Sequence, residues 1–206
     1  MLANFLLEAS AAPLHVQVQL SDGRPLQGVV VTAHALEGAN KPSPPVKAVV
    51  DQVDLAFAPD LSVIPVGSTV EFPNSDVTSH QVYSFSSARR FQLPLYRGKM
   101  YPPVLFDKPG VVTLGCNIHD DMLAYVLVTD AQYYGRTGSK GEWTVADAAA
   151  GKYRIDVWHP RMREPVGSLA TEVQIKEGSE AHVTIEITKA LRPGPITGRP
   201  HSWDAY

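Results

Sequence analysis

The sequence predicts an all-β protein. Three observations carry that expectation: short segments in which apolar and polar residues alternate, turn residues between them, and no stretch with a long, well-capped helical period. Seventeen prolines and fifteen glycines, spread through 206 residues, suit many short strands joined by turns.

The elements follow in chain order. Leu14 to Leu20 alternates strictly, with apolar residues at the even positions. Ser21-Asp22-Gly23-Arg24-Pro25 has turn chemistry, and Gly28 to His34 reads as a second strand. The proline-rich run Asn40 to Pro45 marks a loop or a boundary. Val63 to Phe72 holds two strand segments around Pro65-Val66-Gly67-Ser68, and Gln81 to Phe85 alternates again. Gly110 to Gly115 leads directly into Cys116, and Leu123 to Val128 forms the next strand. Gly135 to Gly141 is turn-rich. Glu142 to Val145, Lys152 to Trp158, Glu172 to Ile175 and His182 to Ile187 complete the strands, with Trp143, Tyr153 and Trp158 expected in the core.

The bulk properties exclude several classes. Apolar residues make up 44% and charged residues 19%, which fits a globular chain. A net charge of -3 offers no basic excess for a nucleic-acid partner. No apolar run approaches the roughly 18 residues of a membrane-spanning helix. Residues 1–13 combine a short apolar stretch with small residues suited to cleavage, but lack a basic start and contain Glu8. They read as a signal remnant or a disordered N-terminus, and a periplasmic or otherwise exported location is expected. Residues 191–206 form a Pro/Gly-rich tail, read as mobile or as an extended arm.

Chemistry concentrates in Cys116-Asn117-Ile118-His119-Asp120-Asp121-Met122, which contains the single cysteine of the chain. His80 lies upstream in Asn74-Ser75-Asp76-Val77-Thr78-Ser79-His80. Two imidazoles, one thiolate and a weak thioether are the ligand set of a blue-copper electron-transfer site. His80, Cys116, His119 and Met122 are therefore the expected ligands of one mononuclear Cu(I)/Cu(II) ion. Zinc is the main rival, although a thioether is a poor fourth donor for it. Haem attachment lacks its Cys-x-x-Cys-His. A thiol nucleophile with His119 as base would leave Met122 without a role. Asn74 and Asn117 are candidates for orienting the ligand segments, and each histidine's other ring nitrogen needs a partner.

Residues 46–130 resemble the cupredoxin family, which includes plastocyanin, pseudoazurin and amicyanin. The resemblance rests on Pro65 to Phe72, Asn74 to His80, Phe106-Asp107-Lys108-Pro109-Gly110 and the Cys116-x-x-His119-x-x-Met122 spacing. The wording is also similar to a bacterial group labelled methylamine utilisation protein. Gln81 and Ile118 stand where many cupredoxins have Asn and plastocyanin has Pro. The flanks, 14–45 and 131–190, resemble an Ig-like domain of the carboxypeptidase regulatory-like or transthyretin-like kind. Together these likenesses imply a cupredoxin Greek-key β-sandwich inserted into a second, discontinuous β-sandwich. A continuous run of strands, with the first two belonging to the cupredoxin, is the alternative.

By that resemblance the expected function is a mononuclear type 1 copper protein that carries single electrons and is not an enzyme. Its partner would be a redox protein such as a c-type cytochrome or a periplasmic dehydrogenase, with His119 as the electron port. Asp120 and Asp121 either steer a basic partner or form a solvated loop tip. Arg89, Arg90, Arg97 and Lys99 form either a second docking patch or an exposed hairpin. The alternatives are copper storage or buffering, against which the absence of a Met-rich or His-rich tract argues, and an adhesion module with a structural metal. His15, His34, His159 and His182 read as structural or solvent-facing.

Overall fold

The computed structural model describes residues 11–37, 41–98 and 101–194. Of the expected signal remnant over 1–13, residues 1–10 lie outside the described residues, whereas Ala12 and Pro13 already belong to a strand; of the expected tail over 191–206, residues 195–206 lie outside them. The described residues form seventeen strands and no helix, so the fold is all-β. No helix among them is long and apolar enough to cross a membrane.

The chain divides into two compact units. The first is discontinuous and combines the N-terminal segment up to Asn40 with Gly135–Ala190. The second is Lys41–Tyr134 together with the chain from Leu191. The divisions fall at 40/41 and 134/135. The proline-rich segment sits with the second unit because its groups are engaged there. Val46 N–H donates to Ser68 Oγ at 2.9 Å, and Ser43 Oγ donates to the Gln132 carbonyl at 3.1 Å. Gly67 (φ +87°) faces the same segment, where a β-carbon would stand 3.1 Å from Pro45 Cγ.

In the discontinuous unit, Ala12–Leu20 is the centre of a three-stranded sheet between Glu142–Ala148 and Ala181–Ile187. The pairing with Ala181–Ile187 is parallel. Leu14, Val16 and Val18 are buried and alternate with half-buried residues, as strict period-2 patterning requires of a sheet with one covered face. Ala181–Ile187 alternates in the same way. A second sheet of this unit runs Val30–Ala35, Gly151–Trp158, Thr171–Ile175, and the strand Tyr133–Arg136, which carries the division at 134/135, pairs with Val30–Ala35. Tyr153 is buried, whereas Trp143 and Trp158 are only half-buried. His34 lies beside Thr32 and Asp156. His159 is 3% exposed.

The second unit has a three-stranded sheet, Val104–Phe106, Ser68–Glu71, Lys47–Val49, and a five-stranded sheet, Leu61–Pro65, His119–Thr129, Gly110–Cys116, Tyr83–Phe85, Arg90–Gln92. Two of the pairings are parallel, Lys47–Val49 with Ser68–Glu71 and Leu61–Pro65 with His119–Thr129. Val70, Val104 and Phe106 from the smaller sheet share one buried cluster with Val112, Leu114, Cys116, Met122, Ala124 and Val126 from the larger. The unit is thus a β-sandwich, and its core ends on the candidate site. Asp51–Val53 and Ala56–Ala58 form a small hairpin whose turn residues Asp54 and Leu55 have φ of 51° and 61°.

Candidate metal centre

Two segments bring the donors together. Gly110–Cys116 and His119–Thr129 pair antiparallel and end on the pair Cys116↔His119, with an irregularity after Gly115. Asn117 and Ile118 alone form the turn, so the expected ligand loop is a tight hairpin end, and Met122 lies within a strand. Gly115 pairs with Tyr83. A β-carbon at Gly115 would stand 2.8 Å from Tyr83 Cζ, so only glycine lets that ring lie across the strand next to Cys116.

His80 comes from the segment between Ser68–Glu71 and Tyr83–Phe85, and its backbone is held on both sides. It exchanges two hydrogen bonds with Tyr96, of 3.0 and 2.9 Å. The Asn74 side-chain amide donates to the carbonyls of Thr78 (3.0 Å) and Tyr96 (2.8 Å), and its Oδ1 accepts from Asp76 N–H (3.0 Å). Asn74 therefore shapes this loop, as its position suggested. Asn117, by contrast, is exposed at the hairpin tip. Tyr96 is itself buried. Its hydroxyl donates to the Phe72 carbonyl and accepts from Gln52 Nε2, and burial pushes its pKa up to about 12.

The ligand atoms of His80, Cys116 and His119 all lie within 4.8 Å of one another. His80 Nδ1 is 3.1 Å from His119 Nδ1, and Cys116 Sγ is 3.8 Å from the same nitrogen. The two rings meet edge to face, 4.9 Å between centroids. His80 is 0% exposed, Cys116 4% and Met122 2%, while His119 is half-buried. Three of the four expected residues thus supply converging donor atoms, and Met122 belongs to the same buried cluster as Cys116. Of the four, His119 alone reaches the surface.

Asp76 is the residue that sequence reasoning missed. His80 Nε2 lies 3.0 Å from Asp76 Oδ2. The same carboxylate accepts from Leu55 N–H (2.7 Å) and Val77 N–H (2.6 Å). The hydrogen bond with His80, followed by those backbone donors, holds the Asp76 pKa down to about 2. The ionised carboxylate only accepts, so His80 donates to it from Nε2, and Nδ1 is the nitrogen that faces His119. A carboxylate holding the outer nitrogen of a ligating histidine is a common support of metal sites. The signal in the sequence was the spacing Asp76-x-x-x-His80, which alternation and ligand counting do not flag.

The remaining surface residues divide. Asp120 and Asp121 are exposed beside His119. Arg89 lies 3.8 Å from Asp107, Arg90 and Arg97 are exposed, and Lys99 lies outside the described residues.

No protein-family model matches the chain, and no curated protein matches it. Solved structures do. A copper-containing nitrite reductase from Thermus scotoductus SA-01 is 29% identical, with a TM-score of 0.38; the match covers 46% of this chain and 25% of that one. A purple cupredoxin from Nitrosopumilus maritimus is 23% identical, with a TM-score of 0.36, covering 40% of this chain and 99% of that one. A reduced amicyanin variant is 20% identical, with a TM-score of 0.37, covering 48% of this chain and 98% of that one.

Proposed function

We propose that residues 41–134 form a cupredoxin-type domain that holds one copper ion on His80, Cys116, His119 and Met122 and carries single electrons. The observation that supports this most is the convergence of two imidazole nitrogens and a thiol sulfur within 4.8 Å, inside a β-sandwich core. The donor set fits the ion. Cys116 and Met122 supply soft sulfur and the histidines supply imidazole, the mixture that suits both copper oxidation states. The carboxylate nearest the His80 ring, Asp76, is already engaged with His80, Leu55 and Val77. Bound there, copper would supply a one-electron couple.

The chain's own residues do the rest. Asp76 fixes the tautomer and the ring plane of His80. The hairpin end holds Cys116 and His119 in register, so the donors are preorganised by backbone pairing. Burial of His80, Cys116 and Met122 keeps water from the donors. His119 is the port through which an electron passes to a partner. The exposed carboxylates of Asp120 and Asp121 favour a redox partner with a basic surface, such as a c-type cytochrome. The protein acts in this account as an exported carrier rather than a catalyst, and the flanking strands form a transthyretin-like sandwich that serves as scaffold.

The test is direct. One equivalent of Cu(II) added to the full chain is expected to produce intense visible absorption from thiolate-to-copper charge transfer, with the narrow hyperfine splitting of a type 1 centre in EPR. A colourless protein with an ordinary Cu(II) spectrum would overturn the proposal. Reversible one-electron voltammetry then separates a carrier from a store. Asp76→Asn removes the anionic acceptor while keeping the shape. It is expected to weaken Cu(II) affinity about 10–100-fold by competition titration, and to raise the reduction potential. An unchanged affinity and potential would show that Asp76 does not support His80.

A further inference from the structure

The three-stranded sheet of the discontinuous unit carries two imidazoles that the site above does not use. His15 and His182 are direct partners in the parallel pairing of Ala12–Leu20 with Ala181–Ile187. Both point away from the core, because the residues on either side of each are buried: Leu14 and Val16, Ala181 and Val183. Their rings stack, 4.8 Å between centroids and 13° between planes. Glu180 Oε2 lies 3.4 Å from His182 Nε2. One ligand atom from each of His15, Glu180 and His182 falls within 4.8 Å of the other two. His15 Nδ1 lies 3.1 Å from Thr144 Oγ1, on the strand at the other side of Ala12–Leu20. A cavity of about 420 Å³ opens over this face, lined by His15, Gln17, Glu142, Thr144, His182 and Thr184.

We propose that His15, Glu180 and His182 form a second metal site, for a divalent cation of the zinc class, with an open coordination position facing the cavity. Two imidazoles and one carboxylate hold zinc with a fourth position free. The hydrogen bond to Thr144 engages Nδ1 of His15 and leaves Nε2 for the cation, the support that ligating histidines usually have. Parallel register sets the two imidazoles side by side on rigid backbone, while Glu180 enters from just before the strand. Drawing the three donors in to the separations of about 3.3 Å found around tetrahedral zinc needs only rotation of partly exposed side chains. The site lies within one unit and does not depend on Cys116, so it stands or falls separately from the copper proposal.

The experiment follows the imidazole ring signals of the full chain in long-range nitrogen–proton NMR spectra while zinc sulfate is added. About one equivalent is expected to shift His15 and His182 together. Thr144→Val is expected to weaken that response about 10–100-fold, and His182→Asn to abolish it at His15. All these side chains lie on an outward face, and an unchanged amide spectrum certifies each variant's fold. Repeating the titration in Cys116→Ser removes any contribution from the other centre, and the response at His15 and His182 should persist. The proposal is overturned if neither ring responds up to millimolar zinc, or if His15 responds equally in His182→Asn.

Discussion

Cys116→Ser is expected to leave the protein colourless with Cu(II), while Met122→Leu keeps the colour and shifts the potential. The two variants separate the roles of the two sulfurs. The charge-transfer band needs a thiolate, and a serine hydroxyl stays protonated and is a hard donor. Serine is nearly isosteric with cysteine, and Cys116 contributes little side-chain volume to the cluster it belongs to, so the circular dichroism should be unchanged. Met122→Leu conserves volume at a site 2% exposed, and costs less than about 1.5 kcal/mol of stability. His80, Cys116 and His119 remain as ligand donors in that variant, so the band survives. Loss of a weak axial sulfur disfavours Cu(II) less than it would if Met122 were a strong ligand, and the potential should rise. A coloured Cys116→Ser protein would show that the thiol is not a ligand.

Acid is expected to destabilise the discontinuous unit through His159. This ring is 3% exposed, and its Nδ1 accepts a hydrogen bond from Arg161 N–H at 3.2 Å. Burial, aided by the charges of Arg161 and Arg136, pushes its pKa down to about 4 from the usual 6.5. The sign follows from which state takes up the proton. Between pH 6.5 and 4 the unfolded chain is protonated at this residue and the folded chain is not, so stability falls as pH falls across that window. Above it the contribution is constant, and below about pH 4 no further loss occurs at this site. The loss reaches about 3 kcal/mol by pH 4. His159→Asn keeps an acceptor for Arg161 N–H but cannot be protonated. Urea unfolding of the two proteins at pH 7.5 and pH 4 isolates the effect from the carboxylates, which titrate alike in both. Equal pH dependence in the two proteins would mean that His159 is not buried as a neutral ring.

Several strands longer than about five residues were legible because each covers one face, and alternation records that. Ala12–Leu20, Gly151–Trp158 and Ala181–Ile187 all show it. The strands Lys47–Val49, Asp51–Val53, Ala56–Ala58, Arg90–Gln92 and Val104–Phe106 were not legible, since three residues carry too little periodicity to stand out from loop. Tyr133–Arg136 was hidden by its turn-like composition and pairs through long-range contacts instead.

Residue patterning was enough to reveal the all-β character of the chain and to single out the candidate donors. Both are local properties, written in alternation and in the chemistry of His80, Cys116, His119 and Met122. Only the tertiary structure decided which nitrogen of His80 faces those donors. That depends on Asp76, whose carboxylate is positioned by the Leu55 N–H of a separate hairpin. It also decided that His15 and His182, each read singly as structural or solvent-facing, would stand side by side. Parallel pairing joins segments from opposite ends of the chain, and no short window of sequence records a register set by the packing of the whole unit.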